Sequence, residues 1–415
     1  MTYDCILVGG GAAGLAAAVF LGRAMQTQGV RRSVLLLEKG PRVGKKLLAT
    51  GNGTCNMTNQ RVSLADYHGD TALVQEVLKA LTFSDTLDFF KEIGVDCRSR
   101  PDGKVYPYSE QAGAVLDALR LSAVSYGVEL RCDSTVETLQ PCKEGWRLAV
   151  GEQTLTARQV LVAVGGAASP SLGGSAAGYR LLTDLGYTKT PLFPSIVQLR
   201  TDTEFVRAVK GIRVEAGVSL RLQGKALAFR TGEVLFTDYG LSGPAVMEIS
   251  RPAGDWERQK KGRLTALLDL LPAWEREALT ARLMERSRLP GRTLEDVFTG
   301  LLHKRVGQTV LRVAGIGPLT RAADTLTAEE CAQAAAVAKG WELAVTGTQG
   351  FGGAQVTAGG ICTKDFDPHT LMSKRHAGLF AAGEVLDVDG DCGGFNLQFA
   401  WSSGYVAAMG MAARW

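Results

Sequence analysis

Three glycines near the start of the chain, Gly9, Gly11 and Gly14, stand at the spacing that lets a backbone grip a pyrophosphate. Gly9 permits a tight turn, Gly11 carries no Cβ to hold phosphates off, and Gly14 lets the next helix lie close on the strand before it. A helix beginning at Ala12 and Ala13 then offers unpaired N–H groups and a partial positive charge to the phosphates. Glu38, 24 residues past Gly14, is a carboxylate suited to accept from a ribose hydroxyl. A lone GxGxxG is a weak signal. Here an apolar run precedes it, a helical pattern follows it, and an acid ends the next apolar run, so dinucleotide binding is the expected chemistry.

Two further stretches carry donors and acceptors for an extended cofactor. After Lys39 and Lys46, the run Thr50-Gly51-Asn52-Gly53-Thr54-Cys55-Asn56-Met57-Thr58-Asn59 is dense in glycine and short polar side chains, a loop with backbone amides to spare. Such donors suit the pyrophosphate, ribityl chain and ring edge of a flavin. Cys55 lies inside this loop. Near the other end, Gly383 and Glu384 close an apolar run, and Glu384 is placed to accept from a ribityl hydroxyl. A glycine turn over 389–395 follows, and Asn396 is expected to cap a helix reaching about 413 and to touch the ring. A helix start aimed at a reduced flavin would stabilise its negative charge and raise its potential.

The elements that must position these groups are legible from period and punctuation. Residues 5–8 read as a buried strand, 15–25 as a small-residue helix and 33–37 as a second strand. Asp70 is expected to cap a helix with apolar positions Leu73, Val74, Val77, Leu78 and Leu81, and Ser84 another carrying Leu87, Phe90 and Ile93. A helix over 110–125 and strands over 128–132, 135–139, 146–150 and 153–156 precede a buried strand at 160–164, which ends in Gly165-Gly166. From about 191 the rhythm changes to strands near 196–199, 214–222 and 227–236, then a helical stretch over 272–312. Thr293 and Thr327 open helices as capping boxes, and Gly340 can close the second. The sheet-and-helix pattern resumes near Trp341. The expected organisation is a cofactor domain over 1–190 and 341–415, interrupted by a β-rich insert over 191–265 and a helical one over 266–340.

The chain has 415 residues, 46% hydrophobic, with 50 glycines, enough for two or three domains of a compact α/β enzyme. The opening apolar run lacks a basic flank and is cut by glycines, so it is not read as a signal peptide, and no run is long enough to span a bilayer. A soluble, cytoplasmic protein without membrane contact is expected. Eight scattered cysteines make no C-x-x-C pair and four histidines no ligand spacing, so neither a metal site nor a redox dithiol is expected. Net charge is only +4, yet residues 251–312 hold thirteen Lys/Arg against eight Asp/Glu. That block is either a solvated helical face or a surface for an anionic partner such as RNA or a CoA thioester.

Taken together, the segments 8–14, 44–59, 236–245, 345–348, 356–360 and 382–404 resemble one family over essentially the whole length. It is the bacterial HI0933-like flavoprotein family, with its YhiN and BaiN groups, and the T-G-N-G-x-C-N and G-G-[FY]-N-x-Q-x-A-W-S-S-G blocks are the most specific parts. The resemblance implies an α/β fold: a two-dinucleotide-binding-type (Rossmann-like) FAD domain built from both chain ends, with an inserted β-barrel-like plus helical domain. The implied cofactor-binding residues are Gly9, Gly11, Ala12, Ala13, Gly14, Glu38, Lys39, Lys46, Thr50, Gly51, Asn52, Gly53, Val136, Ala163, Gly165, Gly383, Glu384, Gly394, Asn396 and Leu397. Thr54 stands where the family usually has Arg, and Asp238-Tyr239 replace the commoner Thr-His version of their block.

The implied activity is that of an FAD-dependent oxidoreductase, with hydride reduction of an activated C=C bond as the first reading and Cys55, in the cofactor loop, as the candidate proton donor to the substrate. Electrons would come from NAD(P)H binding transiently over the flavin, or from another reductant, since Gly173-Gly174-Ser175-Ala176-Ala177-Gly178 is only a partial second fingerprint. The alternatives are an rRNA uridine reductase or RNA-associated flavoprotein using the basic insert, and an aminoacetone-type amine oxidase. The substrate is thus a small molecule or RNA, and the sequence indicates no oligomeric state.

Overall fold

A computed structural model describes residues 2–415, which form two compact units, one of residues 2–192 with Val356–Trp415 and one of Phe193–Gln355. In the first unit the opening strand Thr2–Val8 is apolar and buried because it lies inside a parallel sheet covered on both faces. It pairs in parallel with Val34–Leu37 on one side and Gln153–Val162 on the other. Glu129–Arg131 extends the sheet beyond Val34–Leu37, and Leu379–Ala381, from the far end of the chain, pairs in parallel with Gln153–Val162. Gly145–Val150 and Val136–Cys142 add an antiparallel ribbon.

The helices Ala12–Gln28 and Phe395–Ala412 pack on each other, and small residues set how closely. A Cβ on Gly404 would lie 2.6 Å from the Ala13 carbonyl oxygen and 3.3 Å from the Ala16 Cβ, so the two backbones touch only because Gly404 has no side chain. Both helices are apolar nearly all round, as expected for helices buried on several sides. Asp70 caps Thr71–Ala80 as expected, its carboxylate accepting from Ala72 and Leu73 N–H. The next helix, Phe83–Glu92, is capped by Thr82 rather than Ser84, because Thr82 and Asp85 form the reciprocal capping box.

The second unit is a closed six-strand barrel, Leu199–Thr201, Gly240–Ser242, Lys225–Phe236, Arg213–Leu222, Leu264–Asp269 and Trp341–Thr348 in spatial order. Helices Arg276–Ser287, Lys304–Val313 and Ala328–Lys339 share one apolar core with the strands. The sequence suggested a return to the cofactor domain near Trp341 and a boundary between β-rich and helical inserts at 265/266. Instead Trp341–Thr348 closes the barrel against Leu199–Thr201 and Leu264–Asp269, and the return comes at Val356. The helical stretch expected over 272–312 is broken, with only a short 3₁₀ turn, Leu294–Asp296, between its two helices. Thr293 and Thr327 both form the expected capping boxes.

Candidate functional site

Parallel strand ends meet on one line at the edge of the sheet. Val8, Leu37, Val162 and Ala381 stand abreast in register, so Gly9, Glu38, Ala163 and Ala382 are the first residues past the same edge. The chain leaves the opening strand for Val34–Leu37 on one side, and Gln153–Val162 lies on the other. That reversal is the crevice where open α/β sheets take their ligands.

The glycines do separate work here. Gly9 sits at φ +110, and a Cβ on it would meet the Ala163 carbonyl oxygen at 2.4 Å, while a Cβ on Gly14 would come within 1.9 Å of the Gly9 oxygen. Gly11 differs, since a Cβ there would have nothing within 4 Å. Its bareness satisfies no internal contact and leaves room for an incoming group. Gly165, at φ +71, is equally open. Ala12–Gln28 starts with no side-chain cap and no acid in its first turn, so its positive end is not neutralised from within.

Glu38 ties this turn down. One carboxylate oxygen accepts from Gly10 N–H and the other from Gly40 N–H, both at 2.8 Å. Each oxygen keeps a second lone pair, so a ribose hydroxyl can still be received. Lys39 beside it is exposed. Asp133 and Ser134 N–H donate to the Gly40 and Glu38 carbonyls at 2.9 Å, which brings the strand beginning at Val136 alongside.

Glu384, expected as a free acceptor, is engaged by the protein. Lys46 Nζ lies 2.7 Å from one carboxylate oxygen, and Thr357 N–H donates to the other at 2.7 Å. A Cβ on Gly166 would stand 2.7 Å from that second oxygen and 2.4 Å from Thr357 Oγ1. Thr357 Oγ1 in turn accepts from Ala168 N–H at 2.9 Å. Thr357 lies in the segment 356–360 that carries the family resemblance, though it is not among the residues expected at the site.

The loop over 47–55 is held by its own short side chains. Thr50 Oγ1 donates to the Leu47 carbonyl at 2.6 Å, Cys55 N–H to the Thr50 carbonyl at 2.9 Å, and Thr54 Oγ1 to the Gly51 carbonyl at 2.5 Å. Gly51 and Asn52, both left-handed in φ, are exposed. Cys55 is not. Its side chain is fully buried, and burial pushes the thiol up to about 12, with the Thr50 contact pulling the other way. A group with no exposed surface does not reach a substrate, so the proton-donor role expected for Cys55 is not carried forward. The thiol packs the core beneath the loop.

The loop continues into the start of the closing helix. Asn59 Nδ2 donates to the Gly393 carbonyl at 2.9 Å, Thr58 Oγ1 to Gln398 Oε1 at 2.5 Å, and Trp401 Nε1 to the Met57 carbonyl at 2.9 Å. Gly394, at φ +98, is the N-cap, not Asn396. Asn396 lies inside the first turn and pins the preceding one, Oδ1 accepting from Gly390 N–H at 2.9 Å and Nδ2 donating to the Gly390 carbonyl at 2.7 Å. Leu397 beside it packs on the core. Phe395–Ala412 therefore also opens with no side-chain cap and no first-turn acid. Asn56 Oδ1, 2.9 Å from where a Cβ on Gly394 would lie, is buried without a hydrogen-bond partner among the described residues. An acceptor in that state costs about 1–3 kcal/mol, which a bound donor would remove.

These features fit a flavin dinucleotide on the chain's own terms. Gly404 abuts Ala13 in the first turn of the opening helix, and the closing helix begins nine residues earlier, about 13.5 Å away along its axis at 1.5 Å per residue. One uncapped helix start thus has the open face of Gly11 beside it, and the other has the orphaned Asn56 oxygen. One pair that no spacing signals also lies there, His68 Nε2 at 2.9 Å from Asp391 Oδ1.

Part of the basic block over 251–312 is engaged within the protein. Arg258, Arg263, Arg282 and Lys304 make ion pairs with Asp255, Glu342, Glu285 and Glu295, and Arg286 and Arg305 donate to backbone carbonyls. No helix among the described residues is long and apolar enough to cross a membrane.

Comparison with known proteins bears on this geometry. The family model for the HI0933-like protein Rossmann domain matches residues 3–410. A 3-dehydro-bile acid delta(4,6)-reductase from Clostridium scindens is 36% identical over 414 residues, covering 98% of this chain and 98% of the relative. A ribosomal RNA dihydrouridine synthase from Escherichia coli is 27% identical over 412 residues, covering 99% and 98%. Among solved structures, a 3-ketosteroid delta1-dehydrogenase from Sterolibacterium denitrificans shares the fold, with a TM-score of 0.54 at 14% identity and all of both chains covered.

Proposed function

The chain belongs to the HI0933-like family and is an FAD-dependent oxidoreductase, and from that premise we propose that it reduces a C=C bond conjugated to a carbonyl in a small hydrophobic substrate such as an oxo-steroid. The observation that carries this reading is the whole-length 36% identity to a reductase of that kind. Bound FAD supplies the electron pair and hydride for such a reduction.

The chain's own residues supply the rest. Gly11 and the start of Ala12–Gln28 receive the pyrophosphate, and Glu38 accepts from the ribose while holding the glycine turn. The uncapped start of Phe395–Ala412 stabilises negative charge at the ring. Lys46 and Glu384 hold the loop over 47–55 to the end of the last parallel strand. NAD(P)H is the proposed transient electron donor, and the cytoplasm the proposed compartment.

A second reading, reduction of uridine in ribosomal RNA, rests on the 27% identity to the Escherichia coli synthase. The basic block supports it weakly, because six of its cations are already bonded within the protein. Anaerobic mixing of the purified protein with NADH and NADPH, then with a 4,6-dien-3-one steroid, tests the first reading. The flavin absorbance should bleach and then return. Oxidation only by a uridine-containing RNA would favour the second.

A further inference from the structure

A short antiparallel ribbon leads into the glycine turn that opens the closing helix. Tyr67–Gly69 pairs with Val388–Gly390, with His68 abreast of Asp389. Asp391 N–H donates to the Asp66 carbonyl at 2.9 Å and closes the ribbon's end. Tyr67 fixes one face: its hydroxyl donates to the Phe395 carbonyl at 2.9 Å, and its ring meets Phe395 edge-on with centroids 6.2 Å apart. Side chains alternate across a strand, so His68 turns away from that packed face.

His68 Nε2 stands 2.9 Å from Asp391 Oδ1, and each side chain keeps about a third of its surface exposed, 33% and 34%. An ionised carboxylate only accepts, so in the neutral ring Nε2 carries the proton and Nδ1 is the atom left to exchange one. Asp391 is the carboxylate paired with the ring, and Asp389 stands opposite His68 in the ribbon register. The ribbon and turn do not depend on this pair, being held by Tyr67, by the Asp391 amide and by Asn396 on Gly390. An imidazole–carboxylate pair that the fold does not need flanks the uncapped helix start and the Asn59–Gly393 bond, where the flavin ring is proposed to lie.

We propose that His68 delivers the proton in this reduction through Nδ1, with Asp391 as its positioning residue; the assignment rests on the double-bond reading above. The balance is simple. The substrate's far carbon gains a hydride with its electron pair, the π electrons move toward the carbonyl, and the carbon next to the carbonyl takes its proton from Nδ1 of the His68 imidazolium, which is left as the neutral ring with its proton on Nε2 facing Asp391. The imidazole is reprotonated from water.

The test uses the flavin-loaded protein and its His68→Gln and Asp391→Asn variants, photoreduced without oxygen and mixed with a 4,6-dien-3-one steroid or with ferricyanide, which accepts electrons without needing a proton donor. His68→Gln should slow reoxidation by the steroid by about 10²-fold or more, leave reoxidation by ferricyanide unchanged, and recover part of the loss with added imidazole. Asp391→Asn should slow it less and move the limb of the pH–rate profile. Steroid reoxidation of His68→Gln within twofold of wild type, with the same pH profile, overturns the assignment. If the wild type itself is not reoxidised by the steroid, the double-bond reading fails. His68 is then judged by the pH dependence of the flavin midpoint potential: a break lost in His68→Gln supports an imidazole facing the ring, and superimposable curves overturn it.

Discussion

Lys46 and Glu384 are 338 positions apart in the chain and meet at 2.7 Å. Their pairing joins the segment after the first glycine turn to the end of the last parallel strand, and through Thr357 N–H it also holds the strand at Val356–Ala358. A cofactor lying along this edge would pass beside this junction of distant parts of the chain.

Removing the carboxylate should therefore loosen both fold and cofactor. Glu384→Ala leaves the Thr357 amide without its acceptor and should cost about 1–3 kcal/mol. Glu384→Gln, which keeps an acceptor and loses only a partly exposed ion pair, should cost about 1 kcal/mol or less. Both should purify with less flavin per chain than wild type. Urea unfolding of the flavin-free proteins and absorbance of the purified ones check this; unchanged flavin content in Glu384→Ala would refute it.

Gly11 and Gly14 should respond differently to the same added methyl. At Gly14 a Cβ would lie 1.9 Å from a backbone oxygen, whereas at Gly11 it meets nothing within 4 Å. Gly14→Ala should lower the stability of the flavin-free protein by several kcal/mol, on the order expected of overpacking against fixed backbone. Gly11→Ala should leave that stability within about 0.5 kcal/mol and weaken FAD binding about tenfold or more. Calorimetric titration with FAD beside urea melts separates the two, and equal FAD affinity in Gly11→Ala would remove the proposed phosphate site.

The parts of this fold legible in the sequence were those written locally. Residues 5–14 declare a strand, a turn and a helix because an apolar run meets glycines at fixed offsets, and Asp70, Thr293 and Thr327 announce helix starts through their own side chains. The illegible parts depend on partners far along the chain. Trp341–Thr348 alternates like any half-buried strand, and only its pairing with Leu264–Asp269 and Leu199–Thr201 shows that it belongs to the barrel. Asn396 looks like a cap because Asn commonly is one, but a glycine at φ +98 two residues earlier starts the helix and frees Asn396 to bond Gly390. Cys55 looked accessible in a polar loop, and tertiary packing buries it. The engagement of Glu384 by Lys46 and the meeting of His68 with Asp391 are likewise products of folding alone.

The buried thiols make the fold sensitive to alkali. Cys5 and Cys55 both have their thiols pushed up to about 12 by burial, so the folded chain holds these protons more tightly than the unfolded one. Their contribution is complete below the ordinary thiol range and is lost as pH rises through the window from about 9 to about 12. Within it, stability should fall by about 1.4 kcal/mol per pH unit for each thiol. Urea melts between pH 8 and 10.5 should show this slope, and Cys55→Ala should reduce it. Cys55→Ala should also be reoxidised by the steroid at the wild-type rate, and a hundredfold loss there would restore the thiol as the proton donor.

RNA binding by the insert should be feeble. With six cations of the basic block bonded internally, the whole protein should bind a uridine-rich RNA hairpin no more tightly than about 10⁻⁵ M at physiological salt, within the non-specific range. Arg288→Glu with Arg292→Glu should leave steroid reduction unchanged. Filter binding over a salt series decides the matter, and tight binding lost in this double variant would revive the RNA reading.

The central claim is tested most directly by anaerobic stopped-flow of the purified, reduced protein against a 4,6-dien-3-one steroid. A single-turnover return of oxidised flavin absorbance, with one double bond saturated per flavin, is the result predicted here. A protein that takes up no FAD on reconstitution, or one whose reduced flavin ignores the conjugated steroid, would contradict it.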